Sequence, residues 1–206
     1  MKQNFLKNKK ILITGGTGSI GSSLVFRLIK SQCKVLRVMS NDENGLYELS
    51  KEIIKKNTIN YDLFFDQMGK NRIRFFLGDV RDSKRCFEVT KDVDIVIHAA
   101  AIKHVNISEY NKAEAIKTNY LGTKNILKAS IKNNVSRFIF ISTDKVVSPT
   151  NIMGKSKLLA EKFVINSEKL VGKKKLKVSA IRFGNVIGSR GSVIPNFISL
   201  LKRKKN

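Results

Sequence analysis

Residues 11–21 read Ile11-Leu12-Ile13-Thr14-Gly15-Gly16-Thr17-Gly18-Ser19-Ile20-Gly21, and this run decides the fold. A short β-branched apolar strand enters a cluster of glycines. Ile20, Leu24 and Leu28 then follow at a spacing of four, which is one face of a helix. Gly16, Gly18 and Gly21 satisfy G-x-G-x-x-G, while Gly15, Gly18 and Gly21 satisfy G-x-x-G-x-x-G. Strand, glycine turn and helix in that order form a cradle for a dinucleotide pyrophosphate. The glycines permit the tight turn, the approach of phosphate to backbone N–H groups and close packing of helix on strand. The helix N-terminus then faces the phosphate charge. A glycine-rich turn alone is an ordinary connection; the strand before it and the helix after it set this one apart. Gly15, Thr17, Gly18, Ser19, Ile20 and Gly21 are the candidate contacts.

Working outward, further apolar runs at Val35–Met39, Ile73–Leu77, Ile95–His98, Phe138–Ser142 and Leu176–Arg182 read as buried strands. Helical patterns lie between them. Ile116 and Tyr120 lead to Thr123 and Leu127 within a helix over Ala113–Lys128, and Leu158, Leu159, Phe163 and Val164 mark another. Strand–helix alternation of this kind predicts an α/β fold, a Rossmann-like doubly wound parallel sheet with helices on both faces. The chain reads as one dinucleotide-binding domain over residues 1–206. Asn57 to Asn71 form an irregular excursion, and residues 190–206 are expected to begin a substrate-binding region that is cut short.

The remaining strand ends complete the cofactor reading. An acidic residue at the end of the second strand would favour NAD by binding the ribose 2′-hydroxyl. Ser40 takes that position, a hydroxyl able to donate to a 2′-phosphate, which points to NADP; Asp42, two residues on, keeps NAD open. After the third strand, Asp79 and the backbone of Val80 are candidate adenine contacts. After the fourth, Ala99, Ala100 and Ala101 are small enough for backbone to approach the ribose and nicotinamide. His98 and His104 read as structural, since neither has a triad-like neighbour in sequence.

Composition narrows the class. The net charge of +24 raises the question of nucleic acid. The lysines, however, are spread along the chain and dense only at 173–177 and 202–205. They read as a solvated surface that also attracts anionic substrates. No apolar run is long enough to cross a bilayer, and the basic start lacks the apolar stretch of a signal peptide. Cys33 and Cys86 form no metal or redox motif, and no metal site is expected. A cytoplasmic setting is the expectation.

Thr14–Gly21, Gly78–Asp82, His98–Val105, Ile141–Lys157 and Arg182–Pro195 together resemble the extended short-chain dehydrogenase/reductases. More narrowly they resemble the polysaccharide-biosynthesis group of UDP-N-acetylglucosamine 4,6-dehydratases, including the capsule and flagellin-glycan enzymes. The most specific stretches are Ser142-Thr143-Asp144-Lys145, Asn151-Ile152-Met153-Gly154 and Arg182-Phe183-Gly184-Asn185-Val186. Members continue past this point into a sugar-nucleotide-binding lobe.

The resemblance implies a redox-neutral dehydration of a UDP-sugar, with hydride leaving C4, water lost across C5 and C6, and the hydride returning to C6. By analogy Thr143 hydrogen-bonds the C4 oxygen, Asp144 is the acid for the C6 hydroxyl and Lys145 the base for the C5 proton. A lysine of ordinary pKa, ~10.4, is a poor base, so Lys145 would need burial or cationic neighbours. The family's usual Tyr-x-x-x-Lys pair is here Met153 and Lys157. A thioether cannot move the C4 proton, which leaves Lys157, Asp144 or a water as the base. Asn119 matches a helix-bending asparagine at the cofactor. Lys103, Asn185, Arg190, Ser192 and Val193 match positions that meet the sugar nucleotide. A homo-oligomer is expected. Other readings are an epimerase or reductase of the same fold and a silent dinucleotide-binding remnant.

Overall fold

The computed structural model describes residues 4–57, 72–172 and 175–187. Six strands form one sheet: β1 (Lys10–Thr14), β2 (Val35–Ser40), β3 (Ile73–Leu77), β4 (Ile95–His98), β5 (Arg137–Thr143) and β6 (Lys177–Phe183). Their order is β3-β2-β1-β4-β5-β6, and every pairing is parallel. Each strand lies where its apolar run placed it. A parallel strand covered on both faces must be apolar on both, so it reads as a continuous run.

Alternation along each strand divides the core in two. On one face Ile11 and Ile13 pack with Val25 and Leu28 of α1 (Ser19–Ile29), and with Leu46, Leu49 and Ile53 of α2 (Glu43–Asn57). On the other, Leu12, Val96, Phe138 and Phe140 meet α3 (Ser83–Thr90), α6 (Thr123–Lys132) and α7 (Ile152–Ile165). The doubly wound architecture follows directly.

The expected helix over Ala113–Lys128 is corrected. The structure has α4 (Val105–Tyr110) and α5 (Lys112–Ile116), then a π-helical turn over Lys117–Gly122, and α6 begins only at Thr123. A π turn carries an extra residue and swings the side chains after it round the axis. The sequence analysis left α2 unassigned. Asp42 starts it, its Oδ1 accepting from Gly45 N–H at 2.8 Å. The readings at 58–71 and 190–206 lie outside the described residues.

Candidate functional site

The strand order reverses between β1 and β4, so their carboxyl ends open a crevice there. Gly15 crosses this point with φ +68°, and a Cβ on it would lie 2.6 Å from the backbone of Ala100. At Gly21 a Cβ would lie 2.1 Å from the Gly15 carbonyl oxygen. Glycine is therefore required at both positions. Gly18 starts α1 with no side-chain cap, and the first turn holds no carboxylate. The helix end is thus left to an anion, as a pyrophosphate cradle needs.

A cavity of about 780 Å³ runs from this loop across the sheet's carboxyl edge. It brings together thirteen of the expected residues: Gly15, Gly18, Ser19, Ile20, Gly21, Ala99, Ala101, Lys103, Thr143, Lys145, Met153, Lys157 and Asn185. Its volume and mostly apolar wall suit a ligand of dinucleotide-and-sugar size. Ile141, Ser142, Phe183 and Ile187 also line it. Their backbone neighbours were legible as motif, but facing direction was not.

Other expected contacts are placed elsewhere. The Ser40 hydroxyl is buried, 2.8 Å from Thr17 Oγ1, and accepts from Asp42 N–H at 3.2 Å. Ser40 and Thr17 therefore tie the glycine loop to β2, and the exposed residues that follow β2 are Asn41, Asp42 and Glu43. Asp79 is clasped by Arg81, whose backbone N–H donates to Oδ1 and whose Nε donates to Oδ2, both at 2.8 Å. Burial would raise the Asp79 pKa, but the Arg81 bonds outweigh it and hold the carboxyl below its ordinary value. The Val80 side chain belongs to the core.

Asn119 lies in the π turn, as a helix-bending asparagine would, and its side chain is buried outside the cavity lining. Its Oδ1 accepts from Ile102 N–H at 2.8 Å, and its Nδ2 donates to Ile102 O at 3.0 Å and to Ser156 Oγ at 2.9 Å. The amide thereby pins the π turn to the wall segment after β4 and to α7. His98 is structural, as expected. Thr123 donates its only hydroxyl proton to Asn119 O, so it must accept from His98 Nε2 at 2.9 Å. Nδ1 then accepts from Thr14 Oγ1 at 2.6 Å. Complete burial, with the Lys157 charge adding to it, pushes the His98 pKa down to about 3, so the ring stays neutral.

At the end of β5, Thr143 Oγ1 donates to Asp144 Oδ1 at 3.0 Å. Lys145 Nζ donates to that same oxygen at 3.3 Å and to Asn185 Oδ1 at 3.2 Å. Asp144 stands at the rim, its side chain 53% exposed, outside the cavity lining. The Thr143 bond first, and Lys145 next, hold its carboxyl below the ordinary value. Lys145 has neither burial nor a cation as its immediate setting: its side chain is 42% exposed beside that carboxylate.

Lys157 differs in every respect. It is 6% exposed, donates from Nζ to Ile141 O at 2.6 Å, and stands 4.2 Å from the centre of the Phe140 ring. Burial lowers its pKa to about 7 against the opposing pull of Glu161. Met153, one helical turn earlier, is buried in the same wall. Glu161, one turn later, is buried and paired with Arg182 of β6. No spacing in the sequence marks that pair. Arg190, Ser192 and Val193 lie outside the described residues.

The family model described as "Polysaccharide biosynthesis protein" matches residues 11–206. The chain belongs to this family. Among its relatives, an uncharacterized membrane protein of Methanocaldococcus jannaschii is 44% identical over 97% of this chain and 56% of its own length. A UDP-N-acetylglucosamine 4,6-dehydratase (inverting) of Campylobacter jejuni is 41% identical over 94% of this chain and 54% of its own. A UDP-glucose 4-epimerase of Rickettsia canadensis is 40% identical over 96% and 55%. The X-ray structure of Pen from Bacillus thuringiensis superposes with a TM-score of 0.86 at 40% identity, covering 96% of this chain and 58% of that one. The chain thus spans about half the length of the relatives it matches. Among the described residues, no helix is long and apolar enough to cross a membrane.

Proposed function

We propose that this protein is a nucleotide-sugar 4,6-dehydratase acting on UDP-N-acetylglucosamine with a bound nicotinamide dinucleotide. The observation that carries this reading is the hydrogen-bonded series Thr143–Asp144–Lys145–Asn185 at the mouth of the cavity. A 4-epimerase leaves the C6 hydroxyl in place and needs no acid for it. The 4,6-dehydratase of Campylobacter jejuni, at 41% identity, supports the substrate class.

The glycine loop and the uncapped start of α1 would hold the pyrophosphate, and Lys157 the nicotinamide ribose. The dinucleotide, when bound, supplies the acceptor of hydride from C4 and its donor to C6. The chain's own groups handle the protons. Asp144 is held low and so starts ionised. It takes the C4 hydroxyl proton through Thr143, whose hydrogen already points to Oδ1. This assigns the role that Met153 cannot fill. Protonation of Asp144 removes the anion that pairs with the Lys145 ammonium; Lys145, 42% exposed, would then give a proton to solvent, and the resulting neutral amine would take the C5 proton. Asp144 then returns its proton to the departing C6 oxygen as water. Every proton taken from C4 leaves on C6, and Lys145 returns its own to C5. Asn185 and Lys103 would meet the sugar nucleotide.

For the cofactor we infer NAD in preference to NADP. Ser40 is buried in the loop contact, and the exposed Asp42 and Glu43 just after β2 would disfavour a 2′-phosphate there.

The variants that test the proton path are Asp144→Asn and Lys145→Ala, each expected to lower turnover by about 10²–10⁴-fold. They should differ in one respect. Lys145→Ala still oxidises C4 and accumulates reduced nicotinamide absorbance on adding UDP-N-acetylglucosamine, whereas Asp144→Asn does not. Equal accumulation in both would contradict the assignment. A second reading, 4-epimerisation, rests on the 40% identity to the Rickettsia canadensis epimerase; it yields a product of unchanged mass.

A further inference from the structure

A buried carboxylate lies beneath the site with no role in the proton path. Glu161 is 3% exposed, one turn after Lys157 on α7. Both its oxygens accept from Arg182 Nε at 3.1 and 3.2 Å, and Oε1 also accepts from an Arg182 terminal nitrogen at 2.5 Å. Arg182 lies on β6 opposite Ser142 of β5, one residue before the Phe183–Thr143 pair. Three residues on, Asn185 receives the Lys145 ammonium at 3.2 Å. The connections close a circuit: Lys157 and Glu161 on α7, Arg182 and Asn185 on and after β6, then Lys145 back to the end of β5.

Stability alone is a poor reason for this pair. Removing a carboxylate from water is costly, and its partner, the Arg182 side chain at 50% exposed, is screened by water and offsets that cost only in part. The pair sits outside the cavity lining, one helical turn from Lys157, which among the described residues is the buried lysine that lines it. We propose that Glu161 and Arg182 form a positioning pair for the active site, which seats Lys157 on α7 against the β6 tip carrying Asn185 and sets the charge that Lys157 experiences. The inference rests on the reading above that Lys157 and Asn185 face cofactor and sugar.

The signs follow from the charges around Lys157. On its own helix it meets Glu161; from β6, Arg182 neutralises that carboxylate. From β4 it meets only the neutral His98, while Asp144 and Lys145 stand at the outer rim. Burial draws Lys157 down to about 7, and Glu161 opposes it. Glu161→Gln removes the opposing anion and leaves Arg182 as an unbalanced cation, so Lys157 should titrate lower. Arg182→Gln unmasks the anion, so Lys157 should titrate higher.

The test is an NMR titration of the full chain carrying lysine labelled at the ε-carbon, without substrate or cofactor, with Lys157→Met assigning the resonance. Against a wild-type midpoint near 7, the expected shifts are about one pH unit down for Glu161→Gln and about one unit up for Arg182→Gln. Should Glu161→Gln fail to fold, Arg182→Lys, which keeps the cation, is read beside Arg182→Gln: the midpoint should return near the wild-type value, and an upward shift that persists in Arg182→Lys overturns the proposal. Shifts of the same sign, as loosening and water entry would cause, overturn the proposal, and so does no shift. Because the titration needs no turnover, an absent dehydratase activity would count against the function and not against this pair.

Discussion

Asp42 and Ser40 show how much a single residue's setting decides. Both stand at the end of β2, and in sequence either could answer to the ribose. Folding removes Ser40 from the question by pressing it against Thr17, 2.8 Å away, and leaves Asp42 exposed at the start of α2. The expectation at this scale is that NAD binds at least about tenfold tighter than NADP, a difference of ~1.4 kcal/mol. Isothermal calorimetry with each dinucleotide reads this directly, and Asp42→Ser should narrow the gap. Equal affinities, or tighter NADP, would mean that Asp42 does not reach the ribose. The same distinction separates the two lysines of the site. Lys145 and Lys157 are alike in sequence, but one is 42% exposed beside a carboxylate and the other is sealed over a phenyl ring. Motif spacing locates such groups; only packing decides which of them is desolvated.

Among the elements, the π turn over Lys117–Gly122 has the widest consequences. It presents Asn119 to three partners, Ile102 N–H, Ile102 O and Ser156 Oγ, and it sets Thr123 beneath His98. Asn119→Ala would strand these buried groups, at about 1–3 kcal/mol for each left unsatisfied. Urea denaturation should therefore show a loss of at least ~2 kcal/mol, with the midpoint falling and the slope unchanged. A loss under about 0.5 kcal/mol, the size of an ordinary surface change, would show that the turn holds without it. The strands were legible because parallel strands covered on both faces are apolar throughout, as Phe138–Ile141 illustrates. The helix over Ala113–Lys128 was legible as helix but not as a helix interrupted, since period 3.6 in the flanks hides one inserted residue. α2 went unread because its polar residues outnumber Leu46, Leu49 and Ile53, although those three fall on one face. The Glu161–Arg182 pair joins residues 21 apart on different elements, a relation that no periodicity carries.

For the whole molecule, the strand order places every element of the site at one edge of the sheet. β1 and β4 supply the glycine and alanine backbone, β5 the Thr143-Asp144-Lys145 series, and β6 the approach to Asn185. The net charge of +24 would favour the approach of the anionic dinucleotide and UDP-sugar proposed for the site. No single strand of the six could do this chemistry alone; the parallel register brings the four ends together. The measurement that tests the function most directly is mass spectrometry of UDP-N-acetylglucosamine carrying deuterium at C4, after incubation with the NAD-loaded protein. The predicted product has lost one water and retains the deuterium, now on C6. A product of unchanged mass, loss of the deuterium to solvent, or no conversion at all would contradict the dehydratase reading.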